Sequence, residues 1–339
     1  MFEPLTTARL TIRSFELDDI DALLTRRNDP EVAQFQTWTI PYTREQAEAT
    51  YGDATLEPED GKWWTGTVIL NATGEVVGDV VIHLTWQGRS GEIGYTLARE
   101  HWGNGYAVEA AQALVAYLFE VRRVTRVLGM LHPDNPASAM VLERVGMLFE
   151  GHTRLSYWVG DENSDDWIYG MTRSDWEAWR DRPRNRPEIV ELVEVTVDNA
   201  WDVYKLRTHK TQERFVATMA DSYADALFPD EEDGATVVPW LRAVRADGEL
   251  VGFVMMTEVT EHHPDGYLWR FLIDRIHQHR GIGKMALSLL EEECRKMGTS
   301  KLYTSWVEGK GSPREFYLRN GFELTGEIED GETVGLKYL

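Results

Sequence analysis

The sequence predicts a mixed fold of the α/β or α+β class, built from two copies of one domain. A glycine-rich corner between a strand pattern and a helix pattern occurs twice, at residues 102–107 and 278–284. The motifs on either side of this corner recur in the same order, and short strand patterns alternate with amphipathic helix patterns. These features indicate two mixed sheets, each with helices on its faces.

The motifs around the corner support the duplication. Gly-Glu-Val-Val-Gly at residues 74–78 matches Gly-Glu-Leu-Val-Gly at 248–252, and Val-Gly-Met at 145–147 matches Asn-Gly-Phe at 320–322. The intervals between these motifs and the glycine corner are nearly equal in the two copies. Because the repeating unit is far longer than a solenoid repeat, the sequence indicates duplication of a whole domain.

The first copy has a strand, two helices, a hairpin, the glycine corner with its helix, and a final group of strands. Acidic residues mark the first helix start, and Asn-Ala-Thr-Gly marks the hairpin turn. The predicted strands are 10–13, 64–70, 75–84, one beginning at Glu92, 125–131, 148–158 and 167–172. The predicted helices are 17–28, 43–50, one after the corner through Leu118, 136–145 and 175–179.

The second copy repeats this order. We expect strands at 189–197, 269–273 and 301–307, a hairpin across 246–249 and a final hairpin. We expect one helix that ends at Leu206 and further helices at 211–227, 282–297 and 313–318. Gly298 is a helix stop signal. The Pro- and Arg-rich stretch 183–187 is typical of a linker, so the predicted domains are 1–182 and 188–339.

Composition and charge limit the classes of function. The chain has 339 residues, with 42% hydrophobic and 27% charged residues, which is typical of globular domains. Its net charge of −22 argues against a nucleic-acid partner and favours cationic small molecules. We expect no membrane span and no secretion signal. The single cysteine, Cys294, is typical of a reducing compartment, so we expect a cytoplasmic protein.

The glycine corner suits a phosphate group. Two glycines at the start of a helix allow backbone N–H groups to turn toward one point, where the helix dipole adds positive partial charge. The sequence does not fit a P-loop, which needs four residues between a first glycine and Gly-Lys-Ser/Thr. Residues 281–286 fit a dinucleotide fingerprint ending in Ala, but little chain follows them for further βαβ units. A tight structural turn remains the alternative.

At the corner, Gln278-x-x-Gly281-x-Gly283 resembles the signature of the GNAT superfamily of acetyl-CoA-dependent N-acetyltransferases. The first copy keeps Gly105 and Ala107 but has Trp102 in place of Gln or Arg. Residues 102–110 and 132–138 resemble the subfamily that acetylates ribosomal-protein N-termini and many antibiotics. Residues 269–274, 311–313 and 316–322 resemble polyamine acetyltransferases. The resemblance implies two tandem domains, each a mixed, mostly antiparallel, splayed sheet flanked by helices.

The resemblance also implies how each copy would hold acetyl-CoA. Strand ends would bind the pantetheine arm, and the glycine corner would bind the pyrophosphate. The residues implied in the first copy are Thr96, Leu97, Gly103, Asn104, Gly105, Ala107 and Asn135, and those in the second are Leu272, Ile273, Gln278, Arg280, Gly281, Gly283 and Lys284. His279 stands where the family usually has glycine, so the second loop is expected to differ in shape.

The reaction needs a proton donor for the leaving thiolate, and each copy offers a different candidate. Tyr317 lies where the family often has its acid, although an aromatic core residue is the alternative. Leu142 occupies that position in the first copy and cannot donate a proton. Ser138 is the substitute there, three residues after Asn135, although the two together also fit a helix cap.

The reaction also needs a base, because an amine such as lysine has a pKa of about 10.4. Glu92 in the first copy and Glu258 or Asp274 in the second are candidates from their strand positions, with a structural role as the alternative. Other candidates are weaker. The residues Trp38, Trp63 and Trp64 could stack on a cation or fill the core. Cys294 could carry the acyl group or be an inert buried residue. The histidines lack metal-ligand spacing, so we expect no metal.

These features favour a tandem GNAT enzyme that acetylates a primary amine of a polycationic small molecule. Polyamines and basic antibiotics, such as aminoglycosides or cationic peptides, are the leading classes, and the latter would make it a resistance enzyme. The alternatives are protein N-terminal acetylation and a copy that binds acetyl-CoA without catalysis. Because it keeps Gln278 and Tyr317, we expect the second copy to be the main catalyst. A monomer or a homodimer is expected.

Overall fold

The computed structural model describes residues 2–52, 55–159, 162–232 and 234–339. The chain divides into two compact units, Met1–Asp181 and Arg182–Leu339. The stretch 183–187, which we expect to be a linker, belongs to the second unit in this division. No helix in the described ranges is long and apolar enough to cross a bilayer.

The first unit is a mixed sheet with helices packed against it. Its strands are β1 (Leu5–Thr6), β2 (Leu10–Ser14), β3 (Trp63–Leu70), β4 (Val76–Thr85), β5 (Ser90–Leu97), β6 (Arg126–Leu131), β7 (Leu148–Val159) and β8 (Glu162–Thr172). Its helices are α1 (Ile20–Arg27), α2 (Pro30–Ala33), α3 (Arg44–Tyr51), α4 (Tyr106–Glu120), α5 (Pro136–Val145) and α6 (Arg173–Asp181). The sheet order is β1-β2-β3-β4-β5-β6-β8-β7.

The sheet divides into two arms at the point where the pairing of β5 with β6 ends. These strands are parallel for three residue pairs, from Ser90 with Arg126 to Glu92 with Leu128. Beyond Glu92, β5 continues to Leu97 along β4 alone. We call the point defined by Glu92 and Leu128 the first fork. The facing backbone groups beyond it take no part in the β5–β6 ladder, so they are available to an extended ligand.

Helix α4 fixes this geometry by packing across β5. Ala110, Leu114 and Leu118 lie at helical spacing and are fully buried. Gly91 of β5 faces this helix, and a Cβ atom added there would lie 3.1 Å from the Leu118 side chain. Burial of such side chains stabilises the unit by about 1.5–3 kcal/mol each, so the corner at the start of α4 is held by the core.

The second unit has the same plan. Its strands are β9 (Val190–Glu194), β10 (Glu231–Glu232), β11 (Ala235–Thr236), β12 (Pro239–Ala246), β13 (Glu249–Thr257), β14 (Gly266–Ile273), β15 (Lys301–Trp306), β16 (Glu323–Glu329) and β17 (Glu332–Tyr338). Its helices are α7 (Ala200–Tyr204), α8 (Met219–Leu227), α9 (Ile282–Met297) and α10 (Arg314–Arg319). The main sheet runs β16-β17-β15-β14-β13-β12-β9, and β10 pairs with β11.

A second fork lies between β14 and β15. These strands are parallel from Gly266 with Leu302 to Leu268 with Thr304. We call the point defined by Leu268 and Thr304 the second fork. The register of β14 against β13 shifts at this point, which leaves Trp269 as an extra residue, as in a β-bulge. Each unit therefore has its own fork between two parallel strands. The units differ in the face of the sheet that the side chains next to the fork occupy.

The predicted fold class is confirmed, with one clear error among the elements. Helices α5 and α9 match their predicted limits. The helix predicted for 211–227 begins only at Met219, after a separate 3-10 turn at Lys210–Gln212. Thr218 starts α8 because its hydroxyl accepts from the Asp221 backbone while Asp221 accepts from the Thr218 backbone. This capping box, and not the apolar periodicity, sets the residue at which the helix begins.

Candidate active site

Each glycine corner starts a helix with a left-handed residue. Gly105 precedes α4 with φ of 78°, and Gly281 precedes α9 with φ of 79°. No side chain caps either helix start. The N–H groups of the first turn therefore face the space before the helix, where a bound anion would satisfy them.

A second left-handed residue lies two positions earlier in each loop. It is Gly103 in the first unit, with φ of 77°, and His279 in the second, with φ of 62°. The expectation that His279 alters the loop is therefore not supported by the backbone, because both residues occupy the same region. The side chain imposes a cost of about 1–2 kcal/mol there, which glycine avoids.

The residue that departs from the signature in the first unit makes the same hydrogen bond as its counterpart. Trp102 donates its indole N–H to the carbonyl of Leu97 at 2.9 Å. Gln278 donates its amide Nε2–H to the carbonyl of Ile273 at 3.0 Å. Both bonds tie the loop to the last residue of the preceding strand. Tryptophan thus replaces glutamine without loss of this contact.

The remaining corner residues line the loop differently in the two units. Asn104 donates to two carbonyls of its own loop, at 3.1 and 3.2 Å. At the matching position, Arg280 is buried, and it donates to the carbonyl of Asn185 at 2.9 Å and contacts His277 at 3.0 Å. Lys284 lies exposed in the first turn of α9. Only the second corner therefore carries cationic side chains at these positions.

The predicted pantetheine residues lie beyond the forks. Thr96 and Leu97 end β5, and Leu272 and Ile273 end β14. Each pair is bonded to its antiparallel neighbour on one side and faces the gap of the fork on the other. Ala107 and Gly283 follow in the first turns of α4 and α9, and a Cβ atom at Gly283 would lie 3.4 Å from Phe316.

Ser138 is the hydroxyl that the first unit places on helix α5. Its backbone N–H donates to the Asn135 side chain at 3.1 Å, so Asn135 caps that helix, as its alternative role predicted. The Ser138 hydroxyl lies 3.0 Å from the hydroxyl of Tyr95, which also donates to the Ser138 carbonyl at 2.8 Å. Tyr95 lies on β5 beyond the fork, and burial raises its pKa. It therefore stays protonated and holds Ser138 in place.

Tyr317 is the corresponding hydroxyl of the second unit, and it is buried. Its ring stacks on Trp306 at 5.5 Å and packs against Phe316 and Phe322. Burial raises its pKa to about 12, although a hydrogen bond with Thr304 opposes that effect. Thr304 is the last β15 residue paired with β14, so the hydroxyl lies at the second fork. Tyr317 therefore packs in the core, as its structural alternative holds, and its role as a proton donor stays a prediction.

Two carboxylates approach each other at the first fork. Glu92 is the last paired residue of β5, and Asp166 lies on β8 and is almost fully buried. Burial, and then the charge of Asp166, raise the pKa of Glu92. Burial also raises the pKa of Asp166, opposed by a hydrogen bond from Ser156 at 3.2 Å and by His132. In the described part of the chain, no lysine or arginine forms an ion pair with either carboxylate, and His83 lies 3.9 Å from Glu92.

Aromatic side chains surround this acidic pair. The indole of Trp63 stacks on His83, with 4.6 Å between the ring centroids, and it remains half exposed. The pKa of Tyr157 is raised mainly by burial and also by the charge of Asp166. The other two tryptophans named from the sequence are not available for a ligand. Trp64 is fully buried, and Trp38 holds the guanidinium of Arg27 at 4.2 Å while donating to its carbonyl. Trp63 is the stacking candidate that remains.

The second fork lacks this pair. Tyr267 stands one residue before the fork, where its hydroxyl donates to Glu329 at 2.9 Å. Glu332 begins β17 and accepts from Ser305 at 2.5 Å. Each of these carboxylates thus has a hydroxyl donor.

The sequence-derived base candidates of the second unit lie away from its fork. Asp274 follows the end of β14, and its carboxylate accepts from the backbone N–H groups of Arg207 at 2.9 Å and Ile276 at 3.0 Å. Glu258 is exposed after the end of β13. Cys294 is fully buried beside Met256, and burial raises the pKa of its thiol to about 12. No group of His, Cys, Asp and Glu in the described ranges is arranged to hold a metal ion.

Comparison with known proteins identifies the family. The sequence model of the acetyltransferase (GNAT) domain matches residues 9–148, and that of the acetyltransferase (GNAT) family matches residues 189–322. An uncharacterized N-acetyltransferase of Bacillus licheniformis is 35% identical over 159 residues, covering 45% of this chain and 86% of the relative. The chain belongs to the GNAT family.

Two further GNAT proteins are similar to parts of the chain. A spermine/spermidine N(1)-acetyltransferase of Bacillus subtilis is 35% identical over 100 residues, covering 27% of this chain and 66% of the relative. The crystal structure of a GNAT-family acetyltransferase from Bacillus anthracis is 27% identical, covers 51% of this chain and 99% of that chain, and superposes with a TM-score of 0.47.

Membership makes this protein an acetyl-CoA-dependent acyltransferase, and its residues fit the cofactor. The uncapped helix starts at Gly105 and Gly281 suit the pyrophosphate. The open strand edges beyond each fork suit the pantetheine amides. Acetyl-CoA supplies an acetyl thioester, and the chain supplies the groups that hold it and move protons.

Two residues of this GNAT site were missed in the sequence. Asp166 and Tyr95 are not among the candidates that the sequence predicts. Neither follows a local motif, because each comes to the site through pairing with distant chain. The burial pattern places Asp166 inward, since it is buried between two partly exposed neighbours.

Proposed function

We propose that the first unit transfers the acetyl group of acetyl-CoA to a primary amine of a polyamine-like polycation. The observation that carries this proposal is the acidic pair at the first fork. Glu92 and Asp166 are both desolvated, the charge of Asp166 raises the energy of ionised Glu92, and neither has a lysine or arginine partner within the described residues. A substrate ammonium would supply the missing positive charge.

The same residues would carry the proton transfers. Glu92 takes a proton from the ammonium, which gives the neutral amine that forms the new C–N bond with the acetyl carbon as the C–S bond breaks. Its raised pKa makes it a better base than an ordinary carboxylate. Ser138 then gives its proton to the departing thiolate and is reprotonated by the second proton of the acylated amine nitrogen, with Tyr95 fixing the hydroxyl position. The proton on Glu92 leaves to solvent with the product.

Three observations support a polycation as the acceptor. Asp166 gives the site a second carboxylate beyond the one needed as a base, Trp63 presents a half-exposed indole face, and the chain carries a net charge of −22. The similarity to a spermine/spermidine N(1)-acetyltransferase favours polyamines within this class. Aminoglycosides and cationic peptides share the same chemistry. Peptide N-termini are the alternative, because the first unit resembles enzymes that acetylate ribosomal proteins.

This proposal differs from the division of labour expected from sequence. The second unit keeps Gln278 and a hydroxyl at its fork, but Asp274 is occupied by two backbone donors and lies past the strand end. Tyr267 replaces the carboxylate that Glu92 supplies in the first unit. We therefore infer that the second unit binds acetyl-CoA and contributes less to polyamine acetylation.

An acceptor panel tests the proposal. Thiol release from acetyl-CoA would be measured with spermine, spermidine, an aminoglycoside, a cationic peptide with a blocked N-terminus, and a neutral peptide with a free N-terminus. We expect the highest kcat/KM for the polyamines, and a fall with rising salt because screening weakens charge steering. Faster, salt-independent turnover of the neutral peptide would instead establish N-terminal acetylation.

A further inference from the structure

The two glycine corners each receive an arginine from the start of their own unit, but only one of these arginines is neutralised. Arg9 approaches the first corner, with its guanidinium NH2 3.5 Å from the position of a Cβ atom on Gly105. Arg186 approaches the second corner, with its Cγ and Cδ 3.9 Å from the same position on Gly281. The two arginines thus occupy matching places in the two units.

The arginine of the first corner is fully engaged. Its Nε forms a 2.6 Å ion pair with Glu109, its backbone N–H donates to the other carboxylate oxygen at 2.8 Å, and its NH1 donates to the carbonyl of Asn104 at 2.8 Å. Glu109 lies in the first turn of α4, where its N–H bonds to the carbonyl of Gly105. The carboxylate therefore cancels the charge that Arg9 brings to the corner.

At the second corner the matching position is uncharged. Met285 occupies it, with its N–H bonded to the carbonyl of Gly281. The Nε–H of Arg186 points to the Met285 sulfur at 3.4 Å, and among the described residues no carboxylate pairs with this guanidinium. A thioether is a weak acceptor, so the positive charge remains uncompensated.

Further cations surround the same place. Arg280 donates to the carbonyl of Asn185, next to Arg186, and so holds this segment on the loop. Burial, and then the charges of Arg184 and Arg275, lower the pKa of Arg182. The segment therefore brings several arginines together, in a protein whose net charge is −22.

We propose that residues 182–186 belong to the cofactor site of the second unit, with Arg186 contacting a phosphate group of coenzyme A. The stretch that looks like a linker is therefore a ligand-binding element, and the first unit, with its neutralised arginine, binds the cofactor less tightly. This inference rests on the use of acetyl-CoA and is independent of the amine proposed above. Because guanidinium–phosphate contacts are charge-assisted, one such contact is expected to change affinity about tenfold.

Hydrogen–deuterium exchange of the full chain can test each corner separately. Protection of residues 278–290 and of 102–114 would be followed as coenzyme A is added, which gives a midpoint for each unit. We expect a lower midpoint for 278–290. Arg186→Gln should raise that midpoint about tenfold and leave the midpoint for 102–114 within about twofold. Arg245→Gln is the matched control, since Arg245 lies in the same unit and pairs with Glu191 on a strand.

A second variant copies the first corner into the second unit. Met285→Glu should raise the 278–290 midpoint by supplying the carboxylate that Glu109 provides, whereas Met285→Gln should not. Repeating the titration with 3′-dephospho-CoA identifies the phosphate, because the loss caused by Arg186→Gln disappears if the 3′-phosphate is the partner and persists if the pyrophosphate is. Equal midpoints in Arg186→Gln and Arg245→Gln, or no protection of 278–290, would overturn the proposal.

Discussion

At the residue scale, the proposed function depends on two desolvated carboxylates for which the described residues supply no lysine or arginine partner. Glu92 and Asp166 lie in a part of the first unit where carboxylates are desolvated, yet their described neighbours offer only hydroxyl groups and histidines. Such an arrangement is costly for the folded protein without ligand, since both carboxylates are desolvated and the charge of Asp166 disfavours ionised Glu92. In the proposed function, a dication would relieve both costs at once, which is the reason for proposing a polyamine over a single amine.

The coupling of the two carboxylates gives a pH prediction. Glu92 acts only when ionised, so kcat/KM rises with pH through its pKa. The charge of Asp166 raises that pKa, so Asp166→Asn should move the acidic limb of the polyamine profile to lower pH while lowering kcat/KM at neutral pH. The control is Asp165→Asn, whose carboxylate is exposed and pairs with His152. A limb that stays in place, or moves to higher pH, would contradict the coupling.

Trp102 provides a second test at this scale. Because its indole N–H replaces the amide of Gln278, Trp102→Gln should keep the affinity of the first unit for coenzyme A within about twofold. Trp102→Ala removes the donor and should cost about 1 kcal/mol of unfolding free energy in the first unit, measured by chemical denaturation. Equal damage from the two substitutions would show that the tryptophan acts through its bulk.

At the element scale, the fork and the corner are repeated while the residues on them have diverged. Both units separate two parallel strands after three residue pairs, and both begin the next helix with a left-handed glycine. A bulge at Trp269 shifts the second unit by one residue, and Tyr267 stands where the first unit has Glu92. The proposed separation of cofactor binding from catalysis would follow from this one extra residue on β14.

His279 gives the prediction for this scale. Its left-handed φ of 62° is unfavourable for a residue with a Cβ atom, so His279→Gly should stabilise the second unit by about 0.5–1 kcal/mol. His279→Ala keeps the Cβ atom and should give no such gain. Urea denaturation of the full chain would measure both variants. Equal stability of the glycine and alanine variants would show that the backbone at this position is unstrained.

At the scale of the whole molecule, the sequence predicted what local signals decide. The corners at Gly105 and Gly281, the limits of helix α9 and the duplication depend on short motifs and periodicity, and the structure and family comparison confirm them. Asp166 could not be predicted, because its position depends on how β8 pairs with β6 across distant sequence. The stretch 183–187 stays a predicted linker by composition, and its contacts with the second corner could not be predicted because they join residues distant in sequence.

The division of labour between the two units is the central claim, and one measurement tests it most directly. Thiol release with spermidine as acceptor would be compared in Glu92→Gln and Tyr317→Phe, with cofactor protection at both corners confirming that each variant still binds coenzyme A. We expect Glu92→Gln to lower kcat about 100-fold or more, and Tyr317→Phe to stay within about threefold of the parent protein. The reverse ranking, with Tyr317→Phe inactive and Glu92→Gln near normal, would place polyamine acetylation in the second unit and contradict the account.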